Sequence, residues 1–151
     1  MGDDRGNDAR SRTAGCFGCS AQNERGLGLV FERGDGLVEA RTTLGDEFAG
    51  YDGLVHGGIV STLLDEAMGW AILELVGRFA VTRSLVVDFR RPVFIDKPLR
   101  VHARVAGEEG DGALRVEAGI EDARGRLLAS ATGIWVPGRT SRVRPDKAGR
   151  Q

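Results

Sequence analysis

The chain has 151 residues, with 21 lysines and arginines against 22 aspartates and glutamates, so its formal net charge is −1. This length suits one domain, and the 41% hydrophobic and 28% charged residues exclude wholesale disorder. The near-zero net charge creates no field that would favour nucleic acid. No apolar run reaches the roughly 18 residues of a membrane span, and residues 1–12 lack the apolar core of a secretion signal. We therefore expect a cytoplasmic protein that binds neither nucleic acid nor membrane.

The two ends of the sequence differ in composition from its middle. Residues 1–15 contain almost no large apolar side chain, and residues 139–151 carry a net charge of +4. Such segments are typical of solvated termini, so we expect a disordered leader and a basic disordered tail. Residues 16–138 carry a net charge of −5 and hold the regular hydrophobic patterns. We assign them to a single domain.

The first half of this domain contains two predicted strands and one predicted helix. Residues 27–33 and 36–43 are typical of short strands, joined by a turn at Gly34-Asp35-Gly36, and residues 44–55 are predicted to be a loop. From Gly57 the apolar residues recur at helical spacing, at Val60, Leu64, Ala67, Met68, Ala71, Ile72 and Leu75. This pattern predicts a helix of about five turns that ends near Val76, with Gly77 as its C-terminal cap.

After Gly77 the hydrophobic period changes to two, which predicts strands over residues 80–90, 99–105, 114–120 and 126–136. The turns over residues 107–112 and 122–125 are short, so we expect these last four strands to form an antiparallel meander. One helix must then cover one face of the whole sheet. The sequence predicts an α+β fold in which a curved antiparallel sheet wraps one long central helix. Because that helix is apolar on most sides, we also expect an oligomer.

The sequence His56-Gly57-Gly58 stands where the helix begins. The first amides of a helix have no intrahelical acceptor, and the helix dipole there favours negative charge. Glycines would let a substrate approach this backbone, so an oxyanion forming on a bound carbonyl would be stabilised. The alternative is that the two glycines only form a sharp turn from loop to helix.

Asp65 places a carboxylate inside this apolar helix, in line with the small residues Gly58, Ser61 or Thr62, and Gly69. It could serve chemistry, or it could hydrogen-bond a loop or strand as a purely structural group. Asp65 lies eight residues beyond Gly57, about 12 Å along the helix axis, which is too far for both to act on one carbonyl. A second, antiparallel helix would bring Asp65 of one subunit near Gly57 of another, giving two sites shared within a two-fold dimer.

The segment HGGIVSTLLDEAMGWA, with an aspartate nine residues after the histidine, resembles the hotdog-fold thioesterases. It is most similar to the acyl-CoA thioesterases of the phenylacetate-degradation type, over about residues 16–137. The opening CFGCSAQNERGLGL resembles a subgroup with a CFxC start. The resemblance implies that Gly57 supplies the oxyanion amide and that His56 helps to form the turn. It also implies that Asp65 acts on the opposite subunit's thioester and that Thr82 orients the carboxylate or its water.

The sequence departs from this family at one position. Six residues before the histidine, related enzymes often carry an amide side chain that positions the thioester, whereas this chain has Gly50. Asp52 or a water is a candidate substitute. We assign Gly58, Glu66, Arg90 and Arg91 to substrate binding, the arginines toward the phosphates of coenzyme A, although strand-end arginines are also commonly solvated.

The expected reaction is hydrolysis of an acyl-CoA thioester. Asp65 would act as a general base on water or attack the carbonyl directly to form an anhydride. No metal or redox cofactor is expected, and coenzyme A enters only as part of the substrate. One alternative is a non-catalytic module that binds acyl-CoA or acyl-lipid. Another is a dehydratase or hydratase, for which His56 is the sole candidate histidine.

Several other residues carry weaker expectations. Cys16 and Cys19 form a CxxC pair that no second ligand pair follows, so we expect a structural or redox-sensitive pair without metal. His102 alternates with arginines on a strand, and Glu66 lies one step round the helix from Asp65, so both are expected to be solvated. The depth of the acyl pocket is expected to depend on Met68, Trp70, Leu73 and Phe79.

Overall fold

The protein folds into one long helix and a six-stranded antiparallel sheet, as seen in a computed structural model that describes residues 14–138. The predicted tail, and the leader before residue 14, lie outside these residues. The helix is α1 (Gly57–Val76), and a single 3-10 turn, Asp46–Phe48, interrupts the loop before it. The strands are β1 (Glu32–Arg33), β2 (Val38–Thr42), β3 (Ala80–Phe89), β4 (Leu99–Glu108), β5 (Leu114–Asp122) and β6 (Leu127–Pro137).

Helix α1 has the predicted bounds because both of its ends are capped. His56 precedes its first turn, and Gly77 ends it in the left-handed conformation, with φ of 76°. The Gly77 N–H donates to the carbonyls of Ile72 and Leu73. Its buried residues point into the core that the sheet encloses, and these are Val60, Leu63, Leu64, Ala67, Met68, Ala71 and Ile72.

The strand order of the sheet is β1-β2-β4-β5-β6-β3, which corrects part of the predicted topology. Strands β4, β5 and β6 form the expected meander, but β3 pairs with β6 rather than with β4. The connection over residues 90–98 contains two prolines and leads from the β3 edge to β4 inside the sheet, whereas a meander needs a tight hairpin turn. Strand β3 is therefore an edge strand, and this position bears directly on the site.

The predicted strand over residues 27–33 is also wrong in most of its length, since only Glu32–Arg33 is a strand. Leu27 and Leu29 are buried, but their N–H groups donate to the carbonyls of Phe17 and Gly18 instead of to a neighbouring strand. The apolar pattern therefore predicted the burial of these leucines correctly, but their backbone pairs with the N-terminal loop rather than with a strand.

The outer face of the sheet carries an ionic network rather than a second apolar layer. The guanidinium of Arg100 contacts both Glu39 and Glu121 across three strands. His102 is half-buried beside them, with Nε2 3.6 Å from Glu121, so the expectation that it is solvated is wrong. Burial lowers the pKa of His102 below its usual value. No helix within residues 14–138 combines the length and the apolarity needed to cross a bilayer.

Candidate active site

The start of α1 presents one open backbone amide. His56 is the N-cap, and its Nδ1 accepts a hydrogen bond of 2.9 Å from the Gly58 N–H. The Gly57 N–H is the first helical amide and donates to no acceptor within residues 14–138. Gly57 and Gly58 are both exposed. The arrangement can bind an oxygen at Gly57, with the helix dipole adding to the attraction.

Gly58 and Gly50 both allow His56 to close over this turn. A Cβ at Gly58 would lie 3.0 Å from His56 Nδ1, so a side chain there would disturb the cap. A Cβ at Gly50 would lie 3.1 Å from His56 Cα, so the preceding loop packs directly on the histidine. Asp52, the candidate substitute for the missing amide, is exposed on this loop. The absence of an amide side chain at position 50 thus coincides with a close contact between loop and helix.

Asp65 lies in the middle of α1 and is half-buried. Its Oδ1 accepts a hydrogen bond of 2.7 Å from the hydroxyl of Thr82 on β3. Its Oδ2 accepts none from the residues that the structure describes, so this oxygen is available to a water or a substrate. A carboxylate fixed through one oxygen and open at the other can act as a base or as a nucleophile.

A β-bulge at Arg83 directs Thr82 toward this carboxylate. Thr82 is opposite Trp135 and Ser84 is opposite Ile134, so Arg83 is an extra residue in β3. In a regular strand Thr82 would share a face with Ser84 and project away from the helix, because side chains alternate between faces. The bulge shifts that alternation by one residue and turns the Thr82 hydroxyl onto Asp65.

Within one chain the two groups are well separated. Asp65 lies eight residues beyond Gly57, about 12 Å along the axis of α1. Strand β3 runs back beside the helix and passes both groups: Thr82 contacts Asp65, and a Cβ at Gly57 would lie 3.6 Å from the Phe89 ring. The same strand is an uncovered edge with exposed apolar side chains, namely Val81 (70% exposed), Val86 (68%) and Phe89 (58%).

Glu66 does not join this site and does not point into solvent as expected. It is half-buried on another flank of α1, where its Oε1 accepts a hydrogen bond from Cys16 Sγ at 3.4 Å. The expectation that it is solvated is therefore wrong, because the N-terminal loop covers it. The hydroxyls of Ser61 and Thr62 donate to the carbonyls of Gly57 and Gly58 in the preceding turn.

The two candidate arginines lie in different places. Arg90 donates from Nε to the hydroxyl of Ser130 at 3.2 Å on the outer face of the sheet. Arg91 lines an open cleft of about 400 Å³ together with Lys97, Arg124 and Arg126. Sequence reasoning missed these last three basic residues, which follow two separate turns and have no common spacing. Asp122 also lines this cleft and is held by Arg126 at 2.7 Å, so the cleft is basic overall.

The basic cleft adjoins the start of α1. Phe94, which also lines it, forms a bridge with Leu54, and the Val55 N–H donates to the carbonyl of Val93. The loop that carries Arg91 is therefore hydrogen-bonded to the segment that leads into His56. The cleft therefore lies beside the loop that leads to the Gly57 amide.

The residues expected to set the depth of the acyl pocket do not share one location. Met68 is fully buried in the core, where a Cβ at Gly133 would lie 2.6 Å from its sulfur. Trp70 stacks on Phe31, with 6.2 Å between ring centroids, on the side of the N-terminal segment. Leu73 and Phe79 are half-buried toward the end of α1 and the start of β3.

Comparisons with known proteins agree with this architecture. The sequence profile of the Thioesterase superfamily matches residues 52–129. A Saccharolobus solfataricus protein provisionally named an esterase is 32% identical over 108 residues, which cover 71% of this chain and 74% of that protein.

Two solved structures share the fold. The E. coli PaaI protein from the phenylacetic acid degradation operon superposes with a TM-score of 0.69 at 20% identity, covering 88% of this chain and 95% of that one. A hypothetical thioesterase from Streptococcus pneumoniae TIGR4, solved with coenzyme A, gives 0.65 at 23% identity, covering 72% and 87%. At these identities the structures show the fold alone, whereas the family profile matches more than half of this chain. The chain belongs to the thioesterase superfamily and has its hotdog fold.

Proposed function

We propose that this protein hydrolyses the thioester of an acyl-CoA, or of a related pantetheine conjugate, at a site shared between two subunits. The observation that carries the proposal is the half-buried Asp65, held at 2.7 Å by Thr82 and open at its second oxygen. The second component is the unpaired Gly57 amide at the start of the same helix. Membership of the thioesterase superfamily supports the reaction class.

The chemistry follows from these two groups. The thioester carbonyl oxygen would accept a hydrogen bond from the Gly57 N–H, which stabilises the negative charge that develops during attack. Asp65 would take a proton from a water whose oxygen attacks the carbonyl carbon, and the C–S bond then breaks to release the thiol and the acid. Alternatively the carboxylate attacks the carbon itself, forming a mixed anhydride that water hydrolyses. Neither route needs a redox cofactor, and coenzyme A enters as part of the substrate.

A dimer through β3 would bring the two groups together. An antiparallel pair of β3 strands, related by a two-fold axis at Val86, sets Thr82 of one chain opposite Phe89 of the other when Arg83 is counted as the extra residue of the bulge. Thr82 hydrogen-bonds Asp65, and Phe89 lies beside Gly57. This pairing would therefore bring the Asp65 carboxylate of one chain near the open Gly57 amide of the other, once on each side of the axis. It would also cover the exposed apolar residues of a free sheet edge.

The basic cleft supports a coenzyme A substrate. Arg91, Lys97 and Arg124 offer positive charge to the phosphates of coenzyme A, beside the loop that leads to Gly57. The pneumococcal structure with coenzyme A shows that a protein of this fold holds such a ligand. We therefore assign the phosphate-binding role to Arg91 rather than to Arg90, which is occupied by Ser130.

The experiment that tests this proposal is a hydrolysis screen of acyl-CoAs with different chain lengths and aryl groups. Released thiol is measured for the wild-type protein and for Asp65→Asn, and binding of each acyl-CoA is measured in parallel. We expect turnover of at least one substrate class, and its loss in the variant with binding retained. Binding of acyl-CoA without any hydrolysis that depends on Asp65 would contradict the proposal and favour a non-catalytic binding module.

A further inference from the structure

A second cluster of reactive side chains lies on the flank of α1 that the N-terminal loop covers. The thiols of Cys16 and Cys19 and the carboxylate of Glu66 converge there, with one potential ligand atom from each residue lying within 4.8 Å of the others. All three residues are half-buried, and both cysteines are free thiols. Thioester hydrolysis at Asp65 uses none of them.

The loop is shaped around the Glu66 carboxylate. A Cβ at Gly18, between the two cysteines, would lie 2.5 Å from the Cδ and Oε2 atoms of Glu66, so a side chain there would displace the carboxylate. The loop is itself anchored, because its Phe17 and Gly18 carbonyls accept hydrogen bonds of 2.7 and 2.9 Å from Leu27 and Leu29. These backbone hydrogen bonds therefore hold the two cysteines of the loop over Glu66.

The charges in this cluster favour a cation. Glu66 forms no ion pair with any basic residue in the described range, although it is half-buried. Its near neighbours are the two thiols, and Cys16 Sγ donates to its Oε1. A cation between the three side chains would balance the charge of the carboxylate and of the thiolates that bind it.

The spacing also suits a metal ion. Zinc binds thiolate sulfur at about 2.3 Å and carboxylate oxygen at about 2.0–2.2 Å, so tetrahedral angles separate sulfur and oxygen ligands by ~3.5 Å. The distance from Cys16 Sγ to Glu66 Oε1 is 3.4 Å.

We propose that Cys16, Cys19 and Glu66 form a binding site for one thiophilic divalent cation of the zinc class, with its fourth position open to water or another small ligand. Each thiol releases its proton to solvent as its sulfur binds the metal. The ion would fasten the N-terminal loop to the middle of α1, at the residue next to Asp65. The spacing of the sequence favours a cysteine pair without metal because the third ligand lies fifty residues away; the fold supplies it.

The test uses the full chain, reduced and freed of metal, titrated with Zn²⁺ or Co²⁺. We expect about one equivalent bound per chain, a thiolate-to-cobalt charge-transfer band and a higher Tm with metal. Cys19→Ser should lose the band and most of the binding, and Glu66→Gln should weaken binding at least about tenfold. Glu74→Gln changes an exposed acid on the same helix and should bind as the wild type does.

Two results would overturn this site. One is a reduced wild-type protein that takes up no stoichiometric metal and only forms a Cys16–Cys19 disulfide on oxidation. The other is metal uptake that Cys19→Ser and Glu66→Gln leave unchanged, which would place the ion elsewhere. Neither readout depends on catalysis, so the metal site can be refuted without refuting thioester hydrolysis, and the reverse also holds.

Discussion

Two consecutive carboxylates on α1 have opposite surroundings. Asp65 faces the free sheet edge, where the Thr82 hydroxyl holds one oxygen and leaves the other open. Glu66 lies under the N-terminal loop, where its partner is the Cys16 thiol and Gly18 packs against it. The residues differ by one methylene and by one step of about 100° round the helix. The element that covers each flank of the helix therefore decides which chemistry the carboxylate there can take part in.

This contrast separates Asp65, to which the family resemblance gives a role on the thioester, from Glu66, which lies outside that site. For the proposed hydrolysis, Asp65 needs the hydroxyl of Thr82 on the edge strand and a second subunit that brings its Gly57 amide close. The Glu66 flank needs a glycine-containing loop with two thiols. Hydrolysis reports on the Asp65 flank, and thiol chemistry reports on the Glu66 flank.

The largest effect is expected for Asp65→Asn, which is nearly isosteric but cannot accept a proton or attack a carbonyl. We expect kcat for the best acyl-CoA substrate to fall about 10²–10⁴-fold. Steady-state kinetics check this, with Glu74→Gln as the matched change of an exposed acid on the same helix. Equal losses in both variants would mean that Asp65 has no special role.

Gly57→Pro should lower kcat about 10²–10³-fold, because it removes the N–H that would bind the oxyanion. Proline is well suited to the first helical position, and His56 has φ −58° and ψ 135°, a conformation that tolerates a following proline. Gly57→Ala retains the N–H, and its Cβ would make only an ordinary contact, 3.6 Å from Phe89. Kinetics that do not distinguish the proline variant from the alanine variant would contradict the assignment.

Thr82→Val should lower kcat about tenfold with little change in KM, since it removes one hydrogen bond to a charged group, worth about 1.5 kcal/mol, and preserves the shape. Thr82→Ser should retain most of the activity. Deletion of Arg83 removes the bulge and should reproduce the valine effect by turning the hydroxyl away from Asp65. A deletion variant that folds and keeps full activity would show that the bulge does not orient Thr82.

Arg91→Ala should raise KM for acyl-CoA about two- to fivefold, the range expected for an exposed charge pair. The matched test is a short thioester of N-acetylcysteamine, which lacks the phosphates of coenzyme A, and its KM should not change. Arg90→Ala is the control, because Arg90 faces Ser130. A KM that changes equally for both substrates would remove Arg91 from phosphate binding.

The smallest effect concerns the Glu66 flank. Because burial and Glu66 together raise the pKa of Cys19 to about 12, Glu66→Gln should lower that pKa and increase the thiolate fraction. Alkylation of Cys19 in the metal-free protein should then be a few-fold faster at a fixed, mildly alkaline pH, as measured by site-resolved mass spectrometry. An unchanged rate would show that burial alone controls the thiol.

Helix α1 could be predicted from local pattern because its apolar spacing and its cap at Gly77 are both encoded nearby. The path of β3 could not, because alternation identifies a strand but does not say which neighbour it pairs with. The segment over residues 27–33 shows the same limit: its leucines are buried as the pattern indicates, yet their backbone pairs with a loop. Long-range pairing is decided by the whole sheet.

The residues of the candidate site also differ in whether a local sequence pattern could predict them. Gly57 and Asp65 could be identified from position on one helix, and Thr82 only through the family resemblance, since regular alternation would turn it away from Asp65. The contact of Glu66 with Cys16 spans fifty residues and leaves no local signal. The basic cleft likewise gathers Arg91, Lys97 and Arg124 from separate turns.

The central claim is that each site combines Asp65 of one chain with Gly57 of another, and mixing inactive variants tests it most directly. Asp65→Asn and Gly57→Pro are each expected to be inactive alone. After confirmed subunit exchange, half of the dimers should be mixed and each should hold one intact site, which restores about a quarter of wild-type activity. No recovery in demonstrably mixed dimers, or full activity from a strict monomer, would contradict the shared site.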